Sequence, residues 1–554
     1  MRHISSLARK LGEPSKSVDM TQSGICRTIL AFALPIMIGN LFQQLYNMVD
    51  TAVVGRGVGP EALAAVGAAS PVTQLLLGLL IGMTSGMSVV IARCFGAGDE
   101  ARMKRAIATG ALLIGATGIA VTVAGALLSW ALFELINTPE DILDGAVEYS
   151  VILFLGAVAT AAYNYEANVM RAFGNSAVPL LFLIVASLLN VGLDLLFVFP
   201  FGWGIAGAAI ATVLSQLISA VLCLAYMARR VPQVRLARSD WKWDGALAAE
   251  HLRTGVPMAF FSSLLAISFL ILQSALNSLG SADVAAYTAA SMMDTLVYQV
   301  MAAFGTAVST FAAQNYGSGS IGRIREGVRR CTGITVAVCA GLTAFAQLFG
   351  RFFMLLFVGP EDAGILASGL MYMRTTSVLY AVLGVNYVIR FALIGVGKSA
   401  IPMLVGLSEI ATRAAVTYLL VYRIGFAGMA FASPACWVTS TILCGLCYAP
   451  MMRSAEGRLR AAPAESAKPR PTKTALPRKM IPARSKALPA GQKSKPASRG
   501  ASDRSQRRKQ KQKLPLTSSV RAIFWLYNKS WGKEQKRRTR QAQSGKMEVQ
   551  ESTT

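Results

Sequence analysis

An apolar stretch near the N-terminus carries a polar stripe. Asn40, Gln43, Gln44, Asn47, Asp50 and Thr51 recur at helical spacing, with Tyr46 beside them. Polar groups facing lipid are costly, so the stripe is expected to face a protein interior or a water-filled cavity. Asn190 and Asp194, four residues apart in another apolar run, share a helix face, and Thr212 lies in the run after that. Two carboxyls, an amide and a hydroxyl are all oxygen donors. Such a set suits a hard cation such as Na⁺. It equally suits a proton, because two neighbouring like charges resist being ionised together. The bland alternative is a hydrogen-bond network near the membrane edge.

Three apolar runs must bring these residues together. The 554 residues are 54% hydrophobic and 15% charged, with mean hydropathy +0.48. That is too little polar surface for a soluble protein, for which about 25% charged residues is usual. Runs long enough to span a bilayer, about 20 residues each, recur at 28–54, 63–92, 105–134, 146–173, 177–200, 204–228, 250–280, 284–314, 328–357, 363–395, 400–422 and 426–450. An all-α membrane protein with twelve transmembrane helices is expected. Pro35, Pro257 and Pro402 are read near helix starts. In this frame Asp50, Asp194 and Thr212 all fall roughly 9–12 Å below the same membrane face, at ~1.5 Å per residue. Depth therefore allows them to meet.

The chain orients itself by charge. The second-to-third connection carries Arg93, Arg102, Lys104 and Arg105; the sixth-to-seventh carries Arg229, Arg230, Arg235, Arg238 and Lys242; the eighth-to-ninth carries Arg323, Arg325, Arg329 and Arg330. The third-to-fourth (Glu140, Asp141, Asp144, Glu148) and ninth-to-tenth (Glu361, Asp362) connections are acidic. The positive-inside rule then puts both termini in the cytoplasm of a multi-pass protein of the plasma (inner) membrane. Residues 1–27 lack an apolar signal segment and are read as a cytoplasmic N-terminal segment. Residues 28–228 form a first lobe, 229–249 a cytoplasmic linker and 250–452 a second lobe. Residues 453–554 form a basic tail, expected to be disordered.

Residues 455–554 hold 26 Lys/Arg and 6 Asp/Glu, so the tail carries most of the net charge of +26. The aromatic cluster at 518–531 reads as an anchor on anionic membrane lipid or as a dispensable tail; no nucleic acid is required.

An internal repeat ties the lobes together. Ala64-Ala65-Val66-Gly67-Ala68-Ala69-Ser70 recurs as Ala285-Ala286-Tyr287-Thr288-Ala289-Ala290-Ser291, an offset of 221. Gly96-Ala97-Gly98 and Arg102 return as Gly317-Ser318-Gly319 and Arg323, and Gly204-Ile205-Ala206-Gly207 as Gly425-Phe426-Ala427-Gly428, at that offset. Six spans per repeat preserve orientation, so two parallel-repeat six-helix lobes are expected, with substrate between them. The polar set is not repeated: Asp50 falls on Ile271 and Asp194 on Ala415. Gln273 and Asp294 remain as cavity-lining candidates in the second lobe, beside Asn40, Gln43, Tyr46 and Asn47 in the first. Glu409 with Arg413 is read as a self-neutralising structural pair, and Glu166 with Arg171 as a gate or structural pair.

Other chemistries find little support. Two His and scattered Cys argue against a His-ligated metal enzyme, and Cys444/Cys447 is an isolated CxxC. Gly397-Lys398-Ser399 has Ala392 where a Walker A motif needs Gly, and no strand before it. A membrane-embedded enzyme would need a reactive cluster, and none is visible.

The stretch from Pro35 through Asp50 into Val53-Val54-Gly55, the loop entries Gly96-Ala97-Gly98 and Gln314-Asn315-Tyr316-Gly317, and Arg171-Ala172-Phe173-Gly174-Asn175 together resemble the multidrug and toxic compound extrusion (MATE) family across residues 24–452. The resemblance implies two lobes in a V, alternating access, and export of organic, often cationic or amphipathic compounds by antiport with Na⁺ or H⁺. It implies a small-molecule substrate, a coupling ion rather than a cofactor, and a monomer. The branch with a first-lobe cation site carries an Asp on helix one, Asn-x-x-x-Asp on helix five and a Thr on helix six; Asp50, Asn190, Asp194 and Thr212 match these. Acidic residues that other branches carry on helices seven and ten have no match here. A lipid-linked saccharide flippase of the same superfamily is the alternative, but internal basic residues beyond Arg374, Arg390 and Arg413 are few.

Overall fold

The computed structural model describes residues 19–461 apart from Asn137. Residues 1–18 and the tail from 462, including the 518–531 cluster and its lipid-anchor reading, lie outside the described residues. The first lobe contains α1 (Ile25–Gly57), α2 (Pro60–Ala97), α3 (Glu100–Leu135), α4 (Glu140–Leu155), α5 (Ala157–Ala172), α6 (Ala177–Val198) and α7 (Gly204–Arg230). The second contains α8 (Gly245–Asn277), α9 (Ser281–Gly317), α10 (Ile321–Met354), α11 (Ala363–Ser377), α12 (Tyr380–Gly395), α13 (Ala400–Val416) and α14 (Phe426–Ala461). Each helix of one lobe thus has a counterpart seven places on.

Among the described residues, ten helices are long and apolar enough to cross a membrane, and two bent pairs bring the number to twelve. α4 and α5 form one broken span, bent by 50°, and α11 and α12 another, bent by 48°. The first bend sits at Gly156, where a Cβ would overlap the Val213 side chain of α7. Only glycine lets that helix approach so closely. Periodicity sees apolar residues on both sides of such a break and cannot show the angle. Pro35 and Pro257 lie inside α1 and α8 rather than near their starts, because both helices begin earlier than hydropathy suggested; Pro402 does lie in the first turn of α13. α14 runs on to Ala461, beyond the expected end at 450.

The basic connections gather at one end of the bundle. Arg102 pairs with Glu250 at 2.8 Å, Arg105 with Asp244 at 3.4 Å and Arg325 with Glu456 at 2.8 Å. We call this the basic end and its opposite the acidic end.

Besides the packing of α2 on α9, two helix crossings between the lobes are related by the repeat. α2 runs antiparallel to α8. Ser263 Oγ donates to the Leu75 carbonyl at 3.4 Å, Gly78 faces Ser262, Gly82 faces Met258 and Ala259, and Gly86 faces Thr254 and Gly255. These contacts run from mid-helix towards the basic end. The mate is α1 on α9, where Asn40 Nδ2 donates to the Gln299 carbonyl at 3.1 Å. Shifted by 221, that pair falls within one residue of Gly78–Ser262, so the two crossings are images of one another.

Towards the basic end the helices exchange partners. Ile29, Phe32, Ala33 and Ile36 of α1 pack in the second-lobe core. Leu247, Met258, Ala259 and Phe261 of α8 pack in the first-lobe core.

Candidate ion-coupling site

The polar stripe of α1 divides in two. Gln44, Asn47, Met48 and Thr51, with Pro60 and Leu63 of α2, line a cavity of about 630 Å³ at the acidic end. Gln43 is exposed. Tyr46 and Asp50, four residues apart, look into the first lobe instead. The Asp50 carboxyl lies within hydrogen-bonding reach of Asp194 on α6. Asp194 is fully buried, Asn190 is 2% exposed, and Asn190 Nδ2 lies 3.4 Å from both Asp194 Oδ1 and Thr212 Oγ1 on α7. Asp50, Asn190, Asp194 and Thr212, drawn from three helices, therefore converge, as their depth allowed.

Hydrogen-bond accounting marks this cluster as unusual. Asp50 Oδ1, Asp194 Oδ2 and Asn190 Oδ1 are buried and have no donor. A buried acceptor left unsatisfied costs about 1–3 kcal/mol, more when charged. Two facing carboxylates have only acceptor atoms to offer each other, so their arrangement fits a proton between them or a cation that takes several oxygens. No Arg or Lys donates to either carboxyl among the described residues. Tyr46 and Tyr149 stand within electrostatic range of both. Tyr149, on α4, had no signal in the sequence, since it lies in an acidic stretch.

The remaining candidates lie elsewhere. Asn40 ties the lobes together at Gln299. Gln273 is exposed on α8 and donates to Asn277 Oδ1 at 2.9 Å; it does not line the cavity beside α1. Asp294, expected at the cavity wall, is instead enclosed. Its carboxyl accepts from the Tyr372 hydroxyl at 2.9 Å and the Tyr380 hydroxyl at 2.7 Å.

Both expected ion pairs are corrected. Glu409 pairs with Arg390 of α12, not with Arg413. Arg413 donates to Ser268 Oγ at 2.7 Å and Ser433 Oγ at 3.1 Å. Arg171 donates to Asn168 Oδ1 at 3.1 Å, while Glu166 Oε2 finds no donor. For Glu409, four-residue spacing permits a pair with Arg413 but does not enforce one when α12 supplies the better-placed Arg390. Arg374 is exposed. With Arg390 and Arg413 each bound to side chains, these residues provide no cationic cluster of the kind a pyrophosphate carrier needs.

Comparison with known proteins agrees with this architecture. The MatE family model matches residues 35–196 and 257–419, once in each lobe. The probable multidrug resistance protein YpnP of Bacillus subtilis is 29% identical over 68% of this chain and 83% of its own length. The probable multidrug resistance protein NorM of Thermotoga maritima is 25% identical over 73% of this chain and 88% of its own. Among solved structures, an outward-facing multidrug resistance MATE family transporter of the MOP superfamily superposes with a TM-score of 0.73 at 23% identity, covering 81% of this chain and all of that one. With the family model spanning both halves and relatives matching most of their length, the chain belongs to the MatE family of multi-pass membrane transporters.

Proposed function

We propose that this protein exports organic, cationic or amphipathic compounds across the inner membrane by antiport with Na⁺ or H⁺, its basic end facing the cytoplasm. The observation that carries the coupling half of this reading is the pair of donorless carboxyl oxygens on Asp50 and Asp194. The export half draws on relatives named as multidrug resistance proteins. Inward movement of one positive charge supplies about 2.3 kcal/mol per 100 mV of membrane potential. That energy reaches the substrate only if ion and substrate prefer different states of one moving part. α1 is suited to this. Asp50 faces the ion site, while Asn47 and Thr51 on the same two turns line the cavity. An ion that draws Asp50 towards α6 and α7 shifts the cavity wall.

The test is dye accumulation in inverted vesicles with Na⁺ and pH gradients imposed separately. One gradient should drive uptake, and Asp194→Asn should abolish it. Uptake that ignores both gradients would refute the antiport reading.

A further inference from the structure

The ion site makes no use of the two loop-entry segments at the basic end, Gly96-Ala97-Gly98 on α2 and Gln314-Asn315-Tyr316-Gly317 on α9. These segments pack against each other. A Cβ on Gly96 would overlap the Gln314 carbonyl oxygen, and a Cβ on Gly317 would overlap the Arg93 carbonyl oxygen. Subtracting the 221-residue repeat turns 317 and 314 into 96 and 93. The same backbone contact is thus made twice, once from each lobe.

The side chains are reciprocal as well. Arg93, in the first lobe, donates from Nε to the Gly395 carbonyl at the end of α12, 3.4 Å away. Gln314, in the second lobe, donates from Nε2 to the Ala172 carbonyl at the end of α5, 2.8 Å away. α5 and α12 are themselves counterparts. Each lobe therefore sends one side chain across to cap the broken span of the other, where the last helical carbonyls lack partners. Gly397, at φ 72°, leaves room for the guanidinium: a Cβ there would overlap Arg93 Nη2. Arg93 also lies 3.5 Å from Glu250 and 5.2 Å above the Tyr316 ring, both in the second lobe. Gln314 is fully buried, and its Oε1 accepts the Met20 amide at 3.0 Å. The stretch before α1 is thereby pinned to the same junction, helped by Asn315 Nδ2, which donates to the Met20 carbonyl at 3.2 Å.

We propose that Arg93 and Gln314 are the two halves of a basic-end gate, positioning residues whose crossed bonds hold the lobes shut there and set the balance between the two access states. The proposal rests on the two-lobe transport reading. Opening at this end must break both crossed bonds and part the glycine contact, leaving helix-end carbonyls without their donors. Removing either side chain takes away part of that cost, and the population shifts towards the state open at the basic end.

Cys94, next to Arg93 and 6% exposed, is a built-in reporter. In nanodiscs both faces meet reagent, so no assumption about orientation is needed. Maleimide labelling of Cys94, read by peptide mass spectrometry, should rise at least tenfold in Gln314→Ala and several-fold in Arg93→Ala. Labelling of Met48→Cys, in the acidic-end cavity, should fall in the same backgrounds. A local packing defect would raise the first without lowering the second. That outcome, or Cys94 labelling within twofold of wild type in both variants, overturns the gate. The labelling reads the gate whether or not dye is moved; failure of the transport reading would show separately, as absence of gradient-driven dye uptake by the wild-type protein.

Discussion

The first lobe sets the Asp50 and Asp194 carboxyls facing each other and leaves Asp50 Oδ1 and Asp194 Oδ2 without donors, as it does Oε2 of the buried Glu166. The second lobe buries two carboxyls, but Asp294 accepts from two tyrosine hydroxyls and Glu409 is paired with Arg390. The scaffold is the same, repeated with the same helix order, yet among the described residues only one copy has buried acidic oxygens lacking a partner. A carboxylate that already holds its donors gains little from an exchangeable ion, whereas one facing another carboxylate needs one. Repetition of the fold therefore does not repeat the chemistry, and coupling is expected to be a property of the first lobe.

This contrast can be broken most sharply at its centre. Asp50→Asn and Asp194→Asn should each abolish ion-driven dye uptake in inverted vesicles while expression stays near normal, because each change removes a buried charge rather than stranding one. Wild-type pumping by both variants would end the first-lobe assignment.

The opposite behaviour is expected of Glu409→Gln. Arg390 then lies buried without its carboxylate partner, at a cost of about 3–5 kcal/mol. Thermal melting in detergent should show a marked loss of stability; an unchanged melting temperature would mean that the pair contributes nothing to the fold.

A smaller effect sharpens the identity of the ion. Thr212→Ala removes a hydroxyl that Na⁺ would use as a ligand and a proton would not. If Na⁺ is the ion, the Na⁺ concentration for half-maximal uptake should rise roughly tenfold, about 1.4 kcal/mol. If it is H⁺, the pH-driven rate should stay within about twofold.

The mildest change should be Asp294→Asn. The asparagine oxygen still accepts from Tyr372 or Tyr380, so the loss is near the ~1 kcal/mol of an ordinary hydrogen bond, and gradient-driven uptake should persist. Loss of uptake with an intact melting curve would move part of the coupling into the second lobe.

Much of this protein follows from local and repeating patterns. Apolar run length sets the spans, and the clustering of basic connections gathers them at one end. The constant 221-residue offset foretells that the α1–α9 and α2–α8 crossings are images of each other. Asp50, Asn190, Asp194 and Thr212 could be brought together on paper because depth along a helix depends only on residue count and rise. Rotation about the helix axis and the choice of partner are different matters, since they depend on how neighbouring helices pack. Glu409 sits four residues from Arg413, but α12 delivers Arg390 closer. Asp294 reads as an isolated charge until α11 and its continuation α12 bring Tyr372 and Tyr380 around it. The bend at Gly156 turns one predicted span into two helices, at an angle that run length does not show. Composition and periodicity thus determined that this chain crosses a membrane as two related lobes and which residues reach a common depth. Tertiary packing alone decided which buried carboxyls are satisfied and which are left without a donor, because that depends on groups brought in from helices distant in the chain.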